Sequence, residues 1–191
     1  MLSLLPFLWV LAGIFGFFDI RLGANPVETI QDLFGVWGLR FVLITLAVTP
    51  LRQLLGKPWP LAFRRMLGLY AFFYCALHFL TWLILDQSLD PAAILEDIFE
   101  RPFITIGTAA LVLLIPLAVT STAGWRRKLG PRWNSLHRLI YPIGILICWH
   151  YYWQVKLDAL DALVYCIILA ALLGFRFWKK QRPNKKGVRA S

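Results

Sequence analysis

Charged side chains are scarce in this chain of 191 residues. Only 16% of the residues are Asp, Glu, Lys or Arg, whereas 59% are hydrophobic. Soluble domains carry about a quarter charged and about half apolar residues, so this composition excludes an ordinary soluble domain and indicates a protein that folds within a lipid bilayer. Cysteine is rare as well, and Cys75, Cys148 and Cys166 all lie within apolar stretches. Cysteines placed in this way indicate packing residues rather than a disulfide framework, and there is no C-x-x-C-H motif.

Several motifs of soluble redox proteins and of transporters are also missing. The sequence has no G-x-G-x-x-G or Walker loop, no paired carboxylates within an apolar stretch and no thiolate metal motif. Such a protein cannot collect a hydride from a nicotinamide by itself, and for electron transfer it needs a separate donor and acceptor. The net charge of +10 does not indicate nucleic-acid binding, because the basic residues lie between long apolar stretches, where anionic lipid headgroups attract them.

Six stretches approach the roughly 20 apolar residues that a membrane-spanning helix needs. They predict an all-α integral membrane protein with six transmembrane helices in one domain, residues 1–178, followed by a basic cytoplasmic tail, residues 179–191. The loops are short, so no soluble domain is inserted between the helices. The predicted spans are Leu2–Phe18, Leu33–Leu54, Met66–Leu85, Phe103–Thr120, Leu136–Gln154 and Leu160–Trp178.

Basic and acidic residues alternate between the predicted loops. Sixteen of the 20 basic residues lie in or beside the second loop, around the fourth loop and at the C-terminal end of the chain, whereas all ten acidic residues lie in or beside the first, third and fifth loops. The positive-inside rule places the basic regions in the cytoplasm. Both termini are therefore predicted to be cytoplasmic, and the alternation independently requires an even number of spans between successive basic regions.

Two of the three histidines lie within apolar stretches, where an ionisable side chain is costly and marks a functional site. His78 lies late in the third predicted helix and His150 late in the fifth. These helices run in the same direction, so both imidazoles are expected at similar depth near the outer face, as the two axial ligands of one haem require. Two imidazoles complete the six positions of haem iron, which favours electron transfer over the binding of oxygen or substrate. Core histidines satisfied by Ser, Thr or backbone groups are the alternative.

The third histidine, His137, lies at the inner end of the fifth predicted helix, 13 residues before His150. The rise of a helix separates the two by about 20 Å along its axis. This depth suits a ligand of a second, inner haem or a contact to a flavin, and a purely structural role is an equal alternative. The spacing also puts the two side chains about 140° apart around an ideal helix, unless Pro142 distorts it.

Three arginines are candidates for contacts with an anionic cofactor. Arg64 lies 14 residues before His78 on nearly the same helix face, and Arg65 follows it. Because a guanidinium stays protonated, this pair suits a haem propionate or a flavin phosphate rather than iron, and positive-inside anchoring is the alternative. Arg40 lies within the second predicted helix at a depth near that of His78 and His150. A propionate and the outer lipid headgroups are its alternative partners.

Four segments of the chain form a specific set of motifs. They are Arg64–His78 (RRMLGLYAFFYCALH), Arg101–Gly107 (RPFITIG), Leu117–Trp125 (LAVTSTAGW) and Leu129–Tyr141 (LGPRWNSLHRLIY). As a set they closely resemble the MsrQ (YedZ) family, haem-binding membrane subunits of bacterial protein-methionine-sulfoxide reductase systems. That family is part of the ferric-reductase-like transmembrane proteins, which have six helices and are related to the membrane part of NADPH oxidases. The resemblance extends over most of the chain.

This resemblance implies a location in the bacterial inner membrane, haem b in one or two copies, and FMN. It implies that electrons from a cytosolic flavin reductase reach an MsrP-like periplasmic molybdopterin subunit, which reduces methionine sulfoxide in proteins. His78, His137 and His150 match the family's histidine positions, whereas Arg64 stands where the related NADPH oxidases have a fourth histidine. Two alternatives remain open: a quinol-oxidising cytochrome b anchor of another periplasmic oxidoreductase, and a small transporter or channel.

Overall fold

The computed structural model describes residues 2–155 and 159–181, and every regular element in these ranges is helical. The predicted all-α class is therefore confirmed. Residues 182–191, most of the predicted basic tail, lie outside the described part of the chain. The helices are α1 (Leu5–Ile14), α2 (Pro26–Leu55), α3 (Pro60–Thr81), α4 (Pro91–Glu100), α5 (Pro102–Val119), α6 (Ala123–Leu129), α7 (Pro131–Leu136), α8 (Ile140–Gln154) and α9 (Ala159–Gln181).

Local sequence signals define where these helices begin and end. The side chain of Asn25 accepts a hydrogen bond from the backbone N–H of Glu28 at the start of α2, and Asp90 accepts one from Ala92 at the start of α4. After α2, Gly56 adopts a φ of +66°, which glycine reaches without steric cost. Proline begins five of the helices, at a position where its missing N–H costs nothing: Pro26, Pro60, Pro91, Pro102 and Pro131.

Four of the six predicted spans form helices that are long and apolar enough to cross a membrane. The other two are shorter, because α1 has 10 residues and α8 has 15. The first ends at Ile14, two residues before Gly16, whose φ is +68°, and the second follows a 3-10 turn, His137–Leu139. The four candidate spans are Pro26–Leu55, Pro60–Asp86, Pro102–Val119 and Ala159–Lys179, where the second includes a π-helical turn, Trp82–Asp86, that continues α3.

The second and third helices begin earlier than the hydropathy predicted. With 30 residues, α2 is about 45 Å long and exceeds the roughly 30 Å of a bilayer's hydrocarbon core. Glu28 and Asp32, predicted in a loop, therefore lie in its first two turns. Arg64 and Arg65 lie in the second turn of α3 for the same reason. The predicted loops also contain three short helices, α4, α6 and α7.

The helices pack as two pairs with α9 beside them. α2 lies along α3, α5 lies along α8, and α9 contacts both α8 and α2. Tyr74 and Ile143 are fully buried in the interior, together with Leu39, Val42 and Leu46. Many large apolar side chains elsewhere are exposed, as expected of surfaces that face lipid. This arrangement brings the late part of α3 opposite the late part of α8.

Candidate functional site

His78 on α3 and His150 on α8 face each other where the two helix pairs meet. Their ring centroids are 6.0 Å apart, and their ring planes are inclined to each other by 77°. The structure therefore brings together the two histidines that the sequence analysis paired, at similar depth in the bundle.

A backbone carbonyl group engages one nitrogen of each imidazole. Nδ1 of His78 lies 2.8 Å from the carbonyl oxygen of Gln31, and Nδ1 of His150 lies 2.7 Å from that of Phe103. A carbonyl oxygen only accepts hydrogen bonds, so Nδ1 carries the proton in both rings and donates it. Nε2 then keeps its lone pair. This is the form in which histidine binds metals, with a hydrogen bond from its other nitrogen that orients the ring.

A glycine also packs closely against each ring. A Cβ atom on Gly35 would lie 3.0 Å from the His78 ring, and a Cβ on Gly107 would lie 2.8 Å from the His150 ring. Both distances are well inside the optimal separation of carbon atoms, about 3.5–4.0 Å, so a side chain larger than hydrogen would displace the imidazole. The sequence analysis missed both glycines. One regularity points to them, since each glycine precedes its histidine by 43 residues.

The spacing of the two rings fits a planar metal macrocycle. Two metal–nitrogen bonds of about 2.0 Å, with about 1 Å from each bonding nitrogen to its ring centroid, put the centroids of two axial imidazoles about 6 Å apart. The observed distance of 6.0 Å agrees with this value. Because both rings present a neutral nitrogen, the donor set suits haem iron with an imidazole on each face.

His137 lies apart from this pair, in the 3-10 turn before α8. Its Nε2 is 3.1 Å from the hydroxyl oxygen of Thr120, and the Trp133 ring stacks on it at a centroid distance of 3.9 Å. The Thr120 hydroxyl donates to the carbonyl group of Pro116, so Nε2 of His137 donates to Thr120 and Nδ1 keeps the lone pair. Partial burial lowers the pKa of His137, and the positive charge of Arg64 lowers it further.

A cavity of about 240 Å³ opens beside His137, at the end of the bundle that carries the basic residues. We call it the inner cavity. Its polar lining includes Arg64, Arg65 and Arg126, and none of the described residues that line it is an Asp or Glu. The hydroxyl of Thr45, also in the lining, is buried without a hydrogen-bond partner. Such a lining favours an anionic ligand, because guanidinium groups form their strongest hydrogen bonds with carboxylates and phosphates.

Arg40 is connected to the α8 side of the site through tyrosines. The ring of Tyr165, its hydrogen-bond partner, lies 5.9 Å from the ring of Tyr151, which follows His150 in α8. Nε of Arg40 donates to the hydroxyl of Tyr165 over 2.9 Å, and its guanidinium lies 4.9 Å from the ring centroid of Trp37. A contact between Arg40 and a propionate stays a prediction.

Comparison with known proteins places the chain in a family. Residues 34–148 match the model of the ferric reductase like transmembrane component. Proteins named "protein-methionine-sulfoxide reductase heme-binding subunit MsrQ" are similar over most of their length. The one from Xanthomonas euvesicatoria is 52% identical over 89% of this chain and 78% of its own, and the one from Ralstonia nicotianae is 49% identical over 98% and 87%. No solved structure matches significantly. The chain therefore belongs to the ferric-reductase-like transmembrane family and, within it, to the MsrQ proteins.

Proposed function

We propose that this chain is an electron-transfer cytochrome b subunit that binds haem b through His78 and His150. The observation that carries the proposal is the pair of imidazoles 6.0 Å apart, each with Nδ1 donating to a backbone carbonyl group. The name of the relatives, which describes them as heme-binding subunits, supports the same cofactor.

Haem b would supply one-electron chemistry at this position. His78 and His150 would hold it, and the carbonyl groups of Gln31 and Phe103 fix the tautomers of the two imidazoles. Iron bound by both imidazoles would have no open position for a substrate. We therefore assign electron transfer to this site and no substrate chemistry of its own.

In this proposal, the chain crosses the bacterial inner membrane six times, with both termini in the cytoplasm. α1 and α8 supply the two spans beyond the four long helices, and shorter helices of this kind are accommodated by local thinning of the bilayer. The charge distribution supports this orientation, since the inner cavity is lined by arginines whereas α4 and its flanks carry Asp86, Asp90 and Glu96.

The inner cavity is the second cofactor site of this proposal, for FMN or for a second haem. Arg64, Arg65 and Arg126 would bind the phosphate or the propionates there. The contacts of His137 favour FMN, because Nε2 is engaged by Thr120 and the described residues that line the cavity include no second imidazole. FMN bound through its phosphate by guanidinium groups needs neither a free Nε2 on His137 nor a second imidazole.

Electrons enter this subunit from a cytosolic flavin reductase, with quinol as the alternative donor. They leave at the outer face for an MsrP-like periplasmic molybdopterin subunit that reduces methionine sulfoxide in proteins. Two observations support this direction. The histidine pair lies at the end away from the arginines of the inner cavity, and the relatives are named as subunits of a protein-methionine-sulfoxide reductase.

The haem content of purified protein tests the ligand assignment. A pyridine haemochrome assay should give one haem b per chain for the histidine pair, and a second only if the inner cavity also holds haem. His78→Ala and His150→Ala should each abolish most of the Soret absorption, whereas His137→Ala should keep the outer haem. Full haem retention by both alanine variants of the pair would exclude these ligands. Reduction of the haem by quinol without any flavin reductase would favour a quinol-oxidising anchor instead.

A further inference from the structure

The two histidines belong to two copies of one local arrangement. In each copy, a carbonyl oxygen 47 residues before the histidine accepts the hydrogen bond from Nδ1. The glycine that packs against the ring follows that carbonyl by four residues, so both groups lie on the same face of one helix. We call this arrangement the His–carbonyl–glycine unit. The first unit joins α2 to α3, and the second joins the start of α5 to α8.

The two contacts of each unit restrict different motions of the ring. The hydrogen bond to the carbonyl group of Gln31 or Phe103 selects the tautomer and directs Nε2 away from the helix. The glycine lets the ring approach the helix backbone closely enough for that bond, because a Cβ would lie at 3.0 Å or less from ring atoms. A helix backbone is stiff at this scale, so the ring would have to move instead.

We infer that Gly35 and Gly107, with the carbonyl groups of Gln31 and Phe103, are positioning residues that hold the planes of the two axial imidazoles nearly perpendicular. The inclination of 77° between the rings is the observation that this inference explains. The effect of this positioning on a midpoint potential rests on the proposed function, because it needs a bound haem. The ring geometry and the tautomers are properties of the protein without haem.

The angle between the two imidazole planes determines the EPR spectrum of an oxidised haem held between them. Low-spin ferric haem with nearly perpendicular axial imidazoles gives an EPR spectrum dominated by one feature at large g, whereas nearly parallel imidazoles give a three-line rhombic spectrum. The carbonyl groups also raise the basicity of the imidazoles, which stabilises the ferric state and lowers the midpoint potential. Loss of either hydrogen bond should therefore raise the potential.

Gly35→Ala and Gly107→Ala test the unit, and two other glycine variants provide controls. Gly38→Ala introduces a comparable clash, since its Cβ would lie 2.8 Å from Sγ of Cys75, but the atoms nearest to that Cβ all belong to Cys75 and none to an imidazole. Gly174 lies in α9, and a Cβ added there would have no atom of another segment within 4 Å.

Gly35→Ala and Gly107→Ala should shift the EPR spectrum and raise the midpoint potential, with the larger shift for Gly107→Ala, whose contact is closer. Both controls should keep the wild-type spectrum and potential.

Each outcome of these measurements decides the inference. A rhombic spectrum of near-parallel rings in the wild-type protein overturns it, as do test variants indistinguishable from Gly38→Ala. Loss of haem from both test variants, with retention in Gly38→Ala, supports it. If the wild-type protein binds no haem, the proposed function fails, and nitrogen NMR of ¹⁵N-histidine-labelled protein decides the unit alone. Protons on Nδ1 of His78 and His150 would support the unit, and protons on Nε2 would overturn it.

Discussion

Replacing Arg64 by glutamine should weaken the binding of FMN to the inner cavity by about ten- to a hundredfold. Glutamine keeps a polar side chain but removes the positive charge. A hydrogen bond to a charged group contributes about 1.5–3 kcal/mol, and about 1.4 kcal/mol corresponds to a tenfold change in affinity. The loss stays within this range because Arg65 and Arg126 remain in the same lining.

The same substitution should not destabilise the cofactor-free protein. Arg64 is partly buried near Arg176, whose positive charge repels it, and removal of one of two like charges relieves that repulsion. An arginine that only anchors the helix to the cytoplasmic side would behave in the opposite way. Its replacement would lower the thermal stability and leave the flavin affinity unchanged.

Quenching of flavin fluorescence during titration of the purified protein measures this affinity. Arg132→Gln is the matched control, because Arg132 is an exposed residue of α7 that does not line the inner cavity, and its replacement changes the net charge equally. Equal affinities in the Arg64→Gln and Arg132→Gln proteins would refute the assignment of the phosphate site. Binding of a second haem in place of FMN would appear as a second equivalent in the haemochrome assay.

Three further substitutions test contacts around the site. Tyr165→Phe removes the hydroxyl that accepts a hydrogen bond from Arg40 and should lower the unfolding free energy by about 1–3 kcal/mol. As a control, Tyr152→Phe at an exposed position should leave the melting curve unchanged. Equal melting curves for the two variants would contradict a stabilising hydrogen bond between Arg40 and Tyr165. Thr120→Val removes the acceptor of His137 Nε2 and should cost a similar amount without changing the outer haem spectrum. Ile143→Ala, at a fully buried position, should cost about 2–5 kcal/mol, and a loss below 1 kcal/mol would show that the neighbouring helices close the cavity.

The histidine pair was predictable because the cost of an ionisable group in an apolar helix stands out in the sequence itself. His78 and His150 are separated by 72 residues, yet charge alternation and helix direction were enough to predict a common depth. Their partners were not predictable in the same way, since backbone carbonyl groups have no sequence signature. The only sequence signature of Gly35 and Gly107 is their equal spacing to the histidines. That spacing can be interpreted only when it is known which helices pack against each other.

Hydropathy was a weak guide to the ends of the helices. It placed the start of the second helix at Leu33, because Glu28 and Asp32 reduce the local average. The actual start follows from Asn25 and Pro26, a capping side chain and a first-position proline. For α8, hydropathy predicted a start that is too early instead of too late. The predicted span began at Leu136, whereas α8 begins at Ile140, after the 3-10 turn His137–Leu139; hydropathy averaged over a long window does not separate such a turn from the helix that follows it.

The two ends of the bundle differ in chemistry in the way that a transmembrane electron path requires. At the histidine pair, each imidazole donates a hydrogen bond from Nδ1 to a backbone carbonyl group, so neither of these contacts would change its protonation when the proposed haem changed oxidation state. The inner cavity instead concentrates positive charge around a space with no described carboxylate. Positive charge favours a reduced, more negative cofactor, and helix rise puts His137 about 20 Å from His150. In the proposed electron path, a haem held by His78 and His150 would therefore be the next acceptor of an electron that a cofactor in the inner cavity has received.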